Sequence, residues 1–595
     1  MFQVSNSSSY MAPPESPSLS PLKRVLRLLR HYRAAIRYIL LYALVAGLIN
    51  LSLPLGVQAI IGLLAGGSIS ASWGVLVFFV TLGAVFTGIL RLMQLSIMEH
   101  LQRRIFADAA LDFAIRIPRL NLERLRKEYL PELINRFFDT MTLQKGLPKM
   151  LIDGSTALIT ILLSLTVLSF YHPAFVTFSL LLLGILAGMF YLTGPSGLAT
   201  SLTESKYKYN LVHWLEEVGR VASTFKLAGD SRFAATQADY ITVNYLKARA
   251  KHWRILVIHF IGGLVFKVFV LGGFLILGSL LVMGNELNLG QFVASEILIL
   301  FIIDAVDKLI LLHETGYDIL TATEKIGQFT DLPIEKDSGL LTAEFCHAQS
   351  LKVELKNLSY QYDDGHTPVL KNLHLIIQPG ERVAITGYSG AGVSTLMQIF
   401  SALKTDFSGN MLINDLPIQN LNMRNLRGHI GDLSSQEDIF KGTIFENITL
   451  GRPNLQLQAV LEAANETGLI DYIQKQPLGL DTPLLPGGKN MPGSVVTKLL
   501  VTRAIVGDPY LLALEKPLRG LTLQDRLRIG SVISNRKKNW TMIVATEDPV
   551  MASLCDRIIV LRDGAIIFDD NYQQLIQTPH CDRIFKFNLQ QNSQP

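Results

Sequence analysis

Charge is scarce in this sequence. Only 17% of its 595 residues are Asp, Glu, Lys or Arg, and the mean hydropathy is +0.32. Ordinary soluble domains carry about 25% charged residues, so part of this chain is expected to meet lipid. The net charge of +5 is too small to argue for nucleic acid as a partner. Cysteine is scarce as well. Cys346, Cys555 and Cys581 show neither metal-ligand spacing nor a disulfide framework, which implies a reducing compartment. One further absence is local. The stretch Gly387-Tyr388-Ser389-Gly390-Ala391-Gly392-Val393-Ser394-Thr395 follows the phosphate-loop pattern G-x-x-x-x-G-K-[ST], with Val393 where the pattern requires lysine. In such a loop the glycines turn backbone N–H groups onto phosphates and the lysine reaches the terminal ones. The cradle is present and its cation is missing.

The length exceeds what one hydrophobic core supports, so at least two domains are expected. Residues 1–20 are rich in Ser and Pro with the single charge Glu15, and read as a disordered tail. They lack the basic start, short apolar core and small-residue cleavage site of a signal peptide.

Six long apolar stretches follow, near Tyr38–Leu64, Trp73–Leu95, Leu151–Phe170, Pro173–Leu192, Ile255–Met283 and Gly290–Leu312. Each suffices for a membrane-crossing helix, which takes roughly 20 residues. The connections alternate in character. Ala65–Ser72, Tyr171-His172 and Gly284–Leu289 are short, whereas Arg91–Met150 and Thr193–Arg254 are long and charged. With Lys23, Arg24, Arg27, Arg30, Arg33 and Arg37 before the first span, the positive side is the cytoplasmic one, and both termini are expected there. The long connections are expected to be helical hairpins reaching into the cytoplasm, with tips near Leu125–Arg136 and Tyr209–Gly219, suited to contact a soluble domain.

Two ionisable residues fall inside the spans. Lys267 and Asp304 lie at depths of about 24 and about 21 Å from the outer ends of the last two spans, counted at 1.5 Å per residue. They are expected either to pair and line a membrane cavity, or to lie near the inner interface and snorkel.

From about Ser350 short β-rich runs alternate with helical ones, the pattern of an α/β domain. Val353–Leu358, Leu375–Ile377 and Arg382–Thr386 read as strands, and the last runs into the glycine loop with a helix starting near Ser394. Strand, glycine loop and helix are the context a phosphate loop requires.

Several further stretches stand in a fixed order. They are Leu358-Ser359-Tyr360-Gln361-Tyr362, Pro368–Leu373, Gln378-Pro379-Gly380-Glu381, Phe440–Ile448 and Asp556–Gly564. Through them the chain resembles the ATP-binding cassette (ABC) exporter family over nearly its whole length. The segment Asn50–Ile60 is also similar to exporters related to type I secretion and bacteriocin export, many of which carry a leading peptidase domain. The residues before the first span are too few for one. The resemblance implies a half-transporter: a six-helix all-α transmembrane domain followed by an α/β P-loop nucleotide-binding domain. The expected boundaries are a tail and basic flank at 1–33, the membrane domain at 34–330, a linker at 331–348 and the nucleotide-binding domain at 349–590. It further implies ATP and Mg²⁺ as cofactors, membrane lipid as surroundings, the cytoplasmic membrane as location, and a homodimer or heterodimer with another ABC half-transporter.

By the same resemblance, Tyr362 is the aromatic that stacks on adenine, and Gly387, Ser389, Gly390, Ala391, Gly392, Val393, Ser394 and Thr395 form the phosphate loop. Ser394, Glu515 and Gln436 are the implied Mg²⁺ ligands. The departures fall on the chemistry. Glu515 replaces the metal-binding aspartate and Lys516 the glutamate that acts on water. Glu547 stands at the switch histidine, and Ser435 at the glutamine, with Gln436 one residue on. The signature that binds the partner's ATP reads Met491-Pro492-Gly493-Ser494-Val495, with Pro492 in place of serine, and Thr522 replaces the aspartate of the following loop. Lys516 is also a candidate replacement for the missing cation.

Family cassettes dimerise head to tail, each ATP lying between one phosphate loop and the other chain's signature. This chain has lost residues of both kinds, so impaired or absent hydrolysis is expected. Two readings follow. One is a transporter half, paired with a catalytic half, that exports a peptide, lipid or drug-like substrate. The other is a non-hydrolysing membrane scaffold or regulator of a secretion system.

Overall fold

The computed structural model describes residues 20–579, 581 and 585, apart from 66–70, 122, 124, 126–128, 230, 347–348, 363–364, 366 and 435–438. The tail reading, except for Ser20, and the readings of Ser435 and Gln436 lie outside the described residues. The chain divides into two units, Met1–Asn121 with Leu125–Ile334, and Leu122–Arg124 with Glu335–Pro595.

The first unit is helical. Its main helices are α1 (Arg33–Asn50), α2 (Ser52–Ala65), α3 (Ala71–Arg116), α4 (Asp139–Tyr171), α5 (Pro173–Arg220), α6 (Phe233–Met283) and α7 (Leu289–Thr330). The break between α1 and α2 has a local cause: Pro54 has no N–H to donate to the carbonyl of Asn50 four residues back. Among the described residues, five helical stretches are long and apolar enough to cross a membrane. The expected span at Pro173–Leu192 lies in α5, whose described apolar part is Pro173–Gly188.

With 46, 48, 51 and 42 residues, α3, α5, α6 and α7 far exceed what a bilayer core needs. The expected continuation of helix beyond the apolar stretches is therefore present. One expected tip moves, because Tyr209–Gly219 is still inside α5 and the chain turns only after Arg220. Glycine lets these helices approach closely. A Cβ on Gly197 would lie 2.0 Å from the Tyr317 ring, and one on Gly263 would lie 2.2 Å from Ile310 Cδ1. Small residues at such crossings are the usual device of membrane helix packing. At the turn from α6 to α7, Asn288 caps α7 through a reciprocal pair of hydrogen bonds with Gln291.

The expected pairing of Lys267 with Asp304 is not what the structure shows. Lys267 Nζ lies 2.5 Å from Asp307, and Asp304 is instead held by Lys308 at 2.6 Å within its own helix. The reason lies in depth. Counted from the turn at 1.5 Å per residue, Asp307 lies about 25 Å along α7, closer to the about 24 Å of Lys267 along α6 than Asp304 at about 21 Å.

The second unit is built on sheets. A four-stranded antiparallel sheet contains β1 (Val353–Tyr360), β2 (Leu370–Ile377), β4 (Ser408–Ile413) and β5 (Leu416–Pro417), in the order β2-β1-β4-β5. A six-stranded sheet contains β3 (Arg382–Gly387), β6 (Ile430–Leu433), β7 (Leu511–Glu515), β8 (Thr541–Ala545), β9 (Arg557–Arg562) and β10 (Ala565–Asp570). Its order is β10-β9-β3-β8-β7-β6, parallel except for the β9–β10 pair. The inner strands read as continuous apolar runs because both faces are covered. One face packs on a core around Leu396, Phe400 and Leu355, the other on a core around Leu499, Ile529 and Trp540.

A double-mutant cycle tests the shifted ion pair. Lys267→Met and Asp307→Asn, followed by unfolding in detergent, are expected to couple by about 1 kcal/mol, while Lys267→Met and Asp304→Asn are expected to be additive within about 0.3 kcal/mol.

Candidate nucleotide site

Three neighbouring strands of the six-stranded sheet, β3, β8 and β7, end side by side at one edge. Their register sets Ile385 beside Ala545, and Ala545 beside Glu515. Backbone hydrogen bonds extend the stitching past the strands. Thr546 N–H donates to Ile385 O at 3.0 Å, Lys516 N–H to Ala545 O at 2.8 Å, and Tyr388 N–H to Leu561 O at 3.1 Å. Ligand sites in open parallel sheets lie at this carboxyl edge. Here it bounds a cavity of about 690 Å³ lined by the loop Gly387–Thr395 together with Glu515, Lys516, Thr546 and Glu547.

The loop has the shape its glycines permit. Gly390 and Gly392 are left-handed, with φ of +77° and +92°. At Gly392 a Cβ would also meet Leu370 Cδ2 at 2.7 Å and the Val369 carbonyl at 3.0 Å. Helix α8 (Val393–Phe400) begins immediately after it, so the loop ends on a helix N-terminus that favours anions. At the lysine position Val393 packs partly against the apolar core, and its Cγ2 would lie 3.1 Å from a Cβ on Gly387. An apolar contact therefore stands where an ammonium would point at phosphate.

Two polar contacts occupy the chemical positions. Ser394 Oγ donates to Glu515 Oε1 at 2.7 Å, and Lys516 Nζ pairs with Glu547 Oε1 at 2.9 Å. Lys516 itself is held at φ +49°, a conformation that costs a lysine about 1 kcal/mol. Such strain persists where the surroundings fix it and is concentrated at functional sites.

Other sequence-predicted residues fall elsewhere. Tyr362 does not line the cavity. Its hydroxyl meets Thr395 Oγ1 at 2.7 Å, Tyr360 packs edge-on at 5.0 Å, and Lys404 Nζ stands 4.9 Å from its ring centre. Met491–Val495 are likewise outside it. Pro492 is the N-cap of α9 (Gly493–Ile505) and offers no side-chain capping bond, while Met491 is buried in the core. Thr522 caps the helix α10 (Leu523–Ile533), accepting from Asp525 N–H at 3.3 Å.

Sequence reasoning passed over Asp432, an acid within the apolar run Ile430–Leu433 of β6. It accepts hydrogen bonds from Ser401 and from Ser434, the latter at 2.8 Å. Burial raises its carboxyl pKa above the ordinary 3.8. The two serine hydrogen bonds pull it down and the neighbouring Glu515 charge pushes it up.

The chemistry of the donors divides the fit to a metal–nucleotide. Ser394 Oγ and the Glu515 carboxylate are adjacent hard oxygens of the kind Mg²⁺ takes. The loop offers backbone N–H groups in the expected shape, but Val393 supplies no charge. Family comparisons decide what the frame is. The model described as "ABC transporter" matches residues 370–519, and the one described as "ABC transporter transmembrane region" matches residues 36–306.

The chain belongs to the ABC transporter family.

Among curated relatives, an ATP-dependent lipid A-core flippase of Chromobacterium violaceum is 30% identical to this ABC transporter over 258 residues, covering 43% of the chain and 44% of the relative. The protein of the same description from Neisseria meningitidis is 27% identical over 289 residues, covering 49% and 46%. The chain thus spans under half the length of these relatives. A solved structure of a bacterial Atm1-family ABC exporter with ATP bound superposes with a TM-score of 0.82 at 18% identity, covering 95% of this ABC transporter and 99% of that chain. At that identity the likeness shows the fold: a helical membrane domain followed by an α/β nucleotide-binding domain.

Two substitutions test the geometry by thermal unfolding. Gly392→Ala is expected to cost about 1–3 kcal/mol, more than Gly390→Ala, because its Cβ meets backbone and side chain as well as a left-handed φ. For Asp432 the folded pKa lies above the unfolded one, so the ionised form costs stability above that pKa and the cost is relieved as pH falls through it. Asp432→Asn is therefore expected to raise Tm at neutral pH, with the gain shrinking at acid pH.

Proposed function

We propose that this chain is one half of an ABC exporter in the cytoplasmic membrane, with both termini cytoplasmic, whose cassette binds ATP without turning it over. The observation that carries this reading is the Lys516–Glu547 ion pair at 2.9 Å. By the family resemblance those positions belong to the glutamate that acts on water and to the switch histidine. A protonated lysine cannot take a proton from water, and a carboxylate replaces the neutral donor of an imidazole. Loss of the loop lysine removes a further share of transition-state charge stabilisation.

What remains suits binding. The left-handed glycines hold the loop open, and the α8 N-terminus favours an anion. Ser394 and Glu515 are the residues that would hold Mg²⁺, which when bound neutralises phosphate oxygens. Glu515, one methylene longer than aspartate, reaches Ser394 across the loop. The boundaries we assign are 34–330 for the membrane domain and 349–590 for the cassette, consistent with the family matches at 36–306 and 370–519.

Turnover in this reading comes from a second, catalytic ABC half, with this half supplying a nucleotide-binding surface and half of the membrane path. The substrate is a lipid-like amphiphile. Support for that class comes from the relatives described as lipid A-core flippases.

Purified chain alone is expected to show no ATP hydrolysis above background, and Val393→Lys alone is expected not to restore it, because Lys516 still occupies the position of the water-activating group. Turnover by the unaltered chain overturns the reading. Co-purification from its native membrane is expected to recover a second ABC half with an intact lysine and glutamate.

A further inference from the structure

We propose that Lys516 is the phosphate-binding cation of this site, held in reserve by Glu547 and transferred to a terminal phosphate when a nucleoside polyphosphate enters. This rests on the cavity being a nucleotide site, and adds which side chain recognises the phosphate.

Among the described residues lining the cavity, Lys516 is the one cationic side chain, against the carboxylates Glu515 and Glu547. Val393 contributes none. The nearby guanidinium of Arg562 lies over the Tyr388 ring at 5.4 Å, with Asp563 at 3.5 Å, and does not line the cavity. A polyphosphate entering this space meets uncompensated negative charge unless Lys516 turns to it.

Lys516 is placed to do so. It follows directly on Glu515, whose carboxylate meets Ser394 of the phosphate loop. The neighbouring register and the Lys516 N–H bond to Ala545 fix its backbone at the edge of the cavity. Its left-handed φ of +49° is strain that lattice-like strand pairing maintains, and it sets the direction in which the side chain leaves the strand end. The current partner is exchangeable. The Lys516 and Glu547 side chains are 47% and 58% exposed, and ion pairs in that setting are weak. A phosphate offers more negative charge and a stronger charge-assisted hydrogen bond than the carboxylate it displaces. Glu515 faces the opposite requirement, since its charge is matched when a divalent cation accompanies the phosphate.

The inference makes the pair a binding switch: a position that serves bond cleavage elsewhere in the family serves phosphate recognition here. No bond is made or broken.

Binding of ATP, ADP and adenosine to the full-length chain in detergent, with and without Mg²⁺, tests it by calorimetry. Lys516→Met is expected to weaken ATP about tenfold or more while leaving adenosine unchanged, a separation that a purely structural role for Lys516 would not produce. Glu547→Gln is expected to tighten ATP several-fold, and that gain is expected to vanish when Lys516→Met is added. If Lys516→Met binds ATP as the unaltered chain does, or loses adenosine equally, the proposal fails while the nucleotide reading stands. If the unaltered chain binds none of the three, both fail together.

Discussion

The parallel register of β3, β8 and β7 is the constraint on which the candidate site depends. Ile385, Ala545 and Glu515 are level across three strands, and the hydrogen bonds from Thr546 to Ile385 and from Lys516 to Ala545 continue that order beyond the strands. Residues separated by more than a hundred positions in the chain thereby share one edge. A slip of one residue in β7 would turn Glu515 and Lys516 to opposite faces, because side chains alternate along a strand. The apolar cores on both faces of the sheet resist that slip, so the chemistry at the edge is paid for by packing away from it.

At that edge, shape and charge have come apart. Left-handed Gly390 and Gly392 and the start of α8 keep the form of a phosphate loop. The side chains around it make contacts with one another: Val393 with the core, Ser394 with Glu515, Lys516 with Glu547. Each is a modest interaction. Together they engage Ser394, Glu515, Lys516 and Glu547 within the protein, so that a ligand must compete for these side chains. Asp432, one strand over, adds a half-buried carboxylate whose ionisation is resisted, and extends the negative character behind Glu515.

The helical unit obeys a different economy. In the spans there is little hydrophobic gain from helix association, so close approach at Gly263 and pairing of the few charges carry the specificity. Lys267 with Asp307 shows how directional that pairing is. Asp307 is nearly level with Lys267 across the 284–288 turn, whereas Asp304 stands almost one turn nearer to it. The late end of α5 has a similar lesson, since helix continues through the charged residues Glu216 and Glu217 to Arg220.

By itself the sequence determined the elements whose signals are local. Apolar runs of bilayer length marked the spans, and a β-rich run followed by Gly387–Thr395 marked strand, loop and helix, because period, length and glycine spacing are properties of neighbouring residues. It also pointed to the positions where substitutions are expected at the site, from Val393 to Glu547. Only the tertiary structure decided what those residues touch. That Lys516 meets Glu547, that Glu515 meets Ser394, that Tyr362 is engaged by Thr395 and Lys404, and that Asp432 stands behind Glu515 all arise from pairing between distant strands. Those contacts depend on register and side-chain direction across the sheet, which no local stretch of the chain encodes.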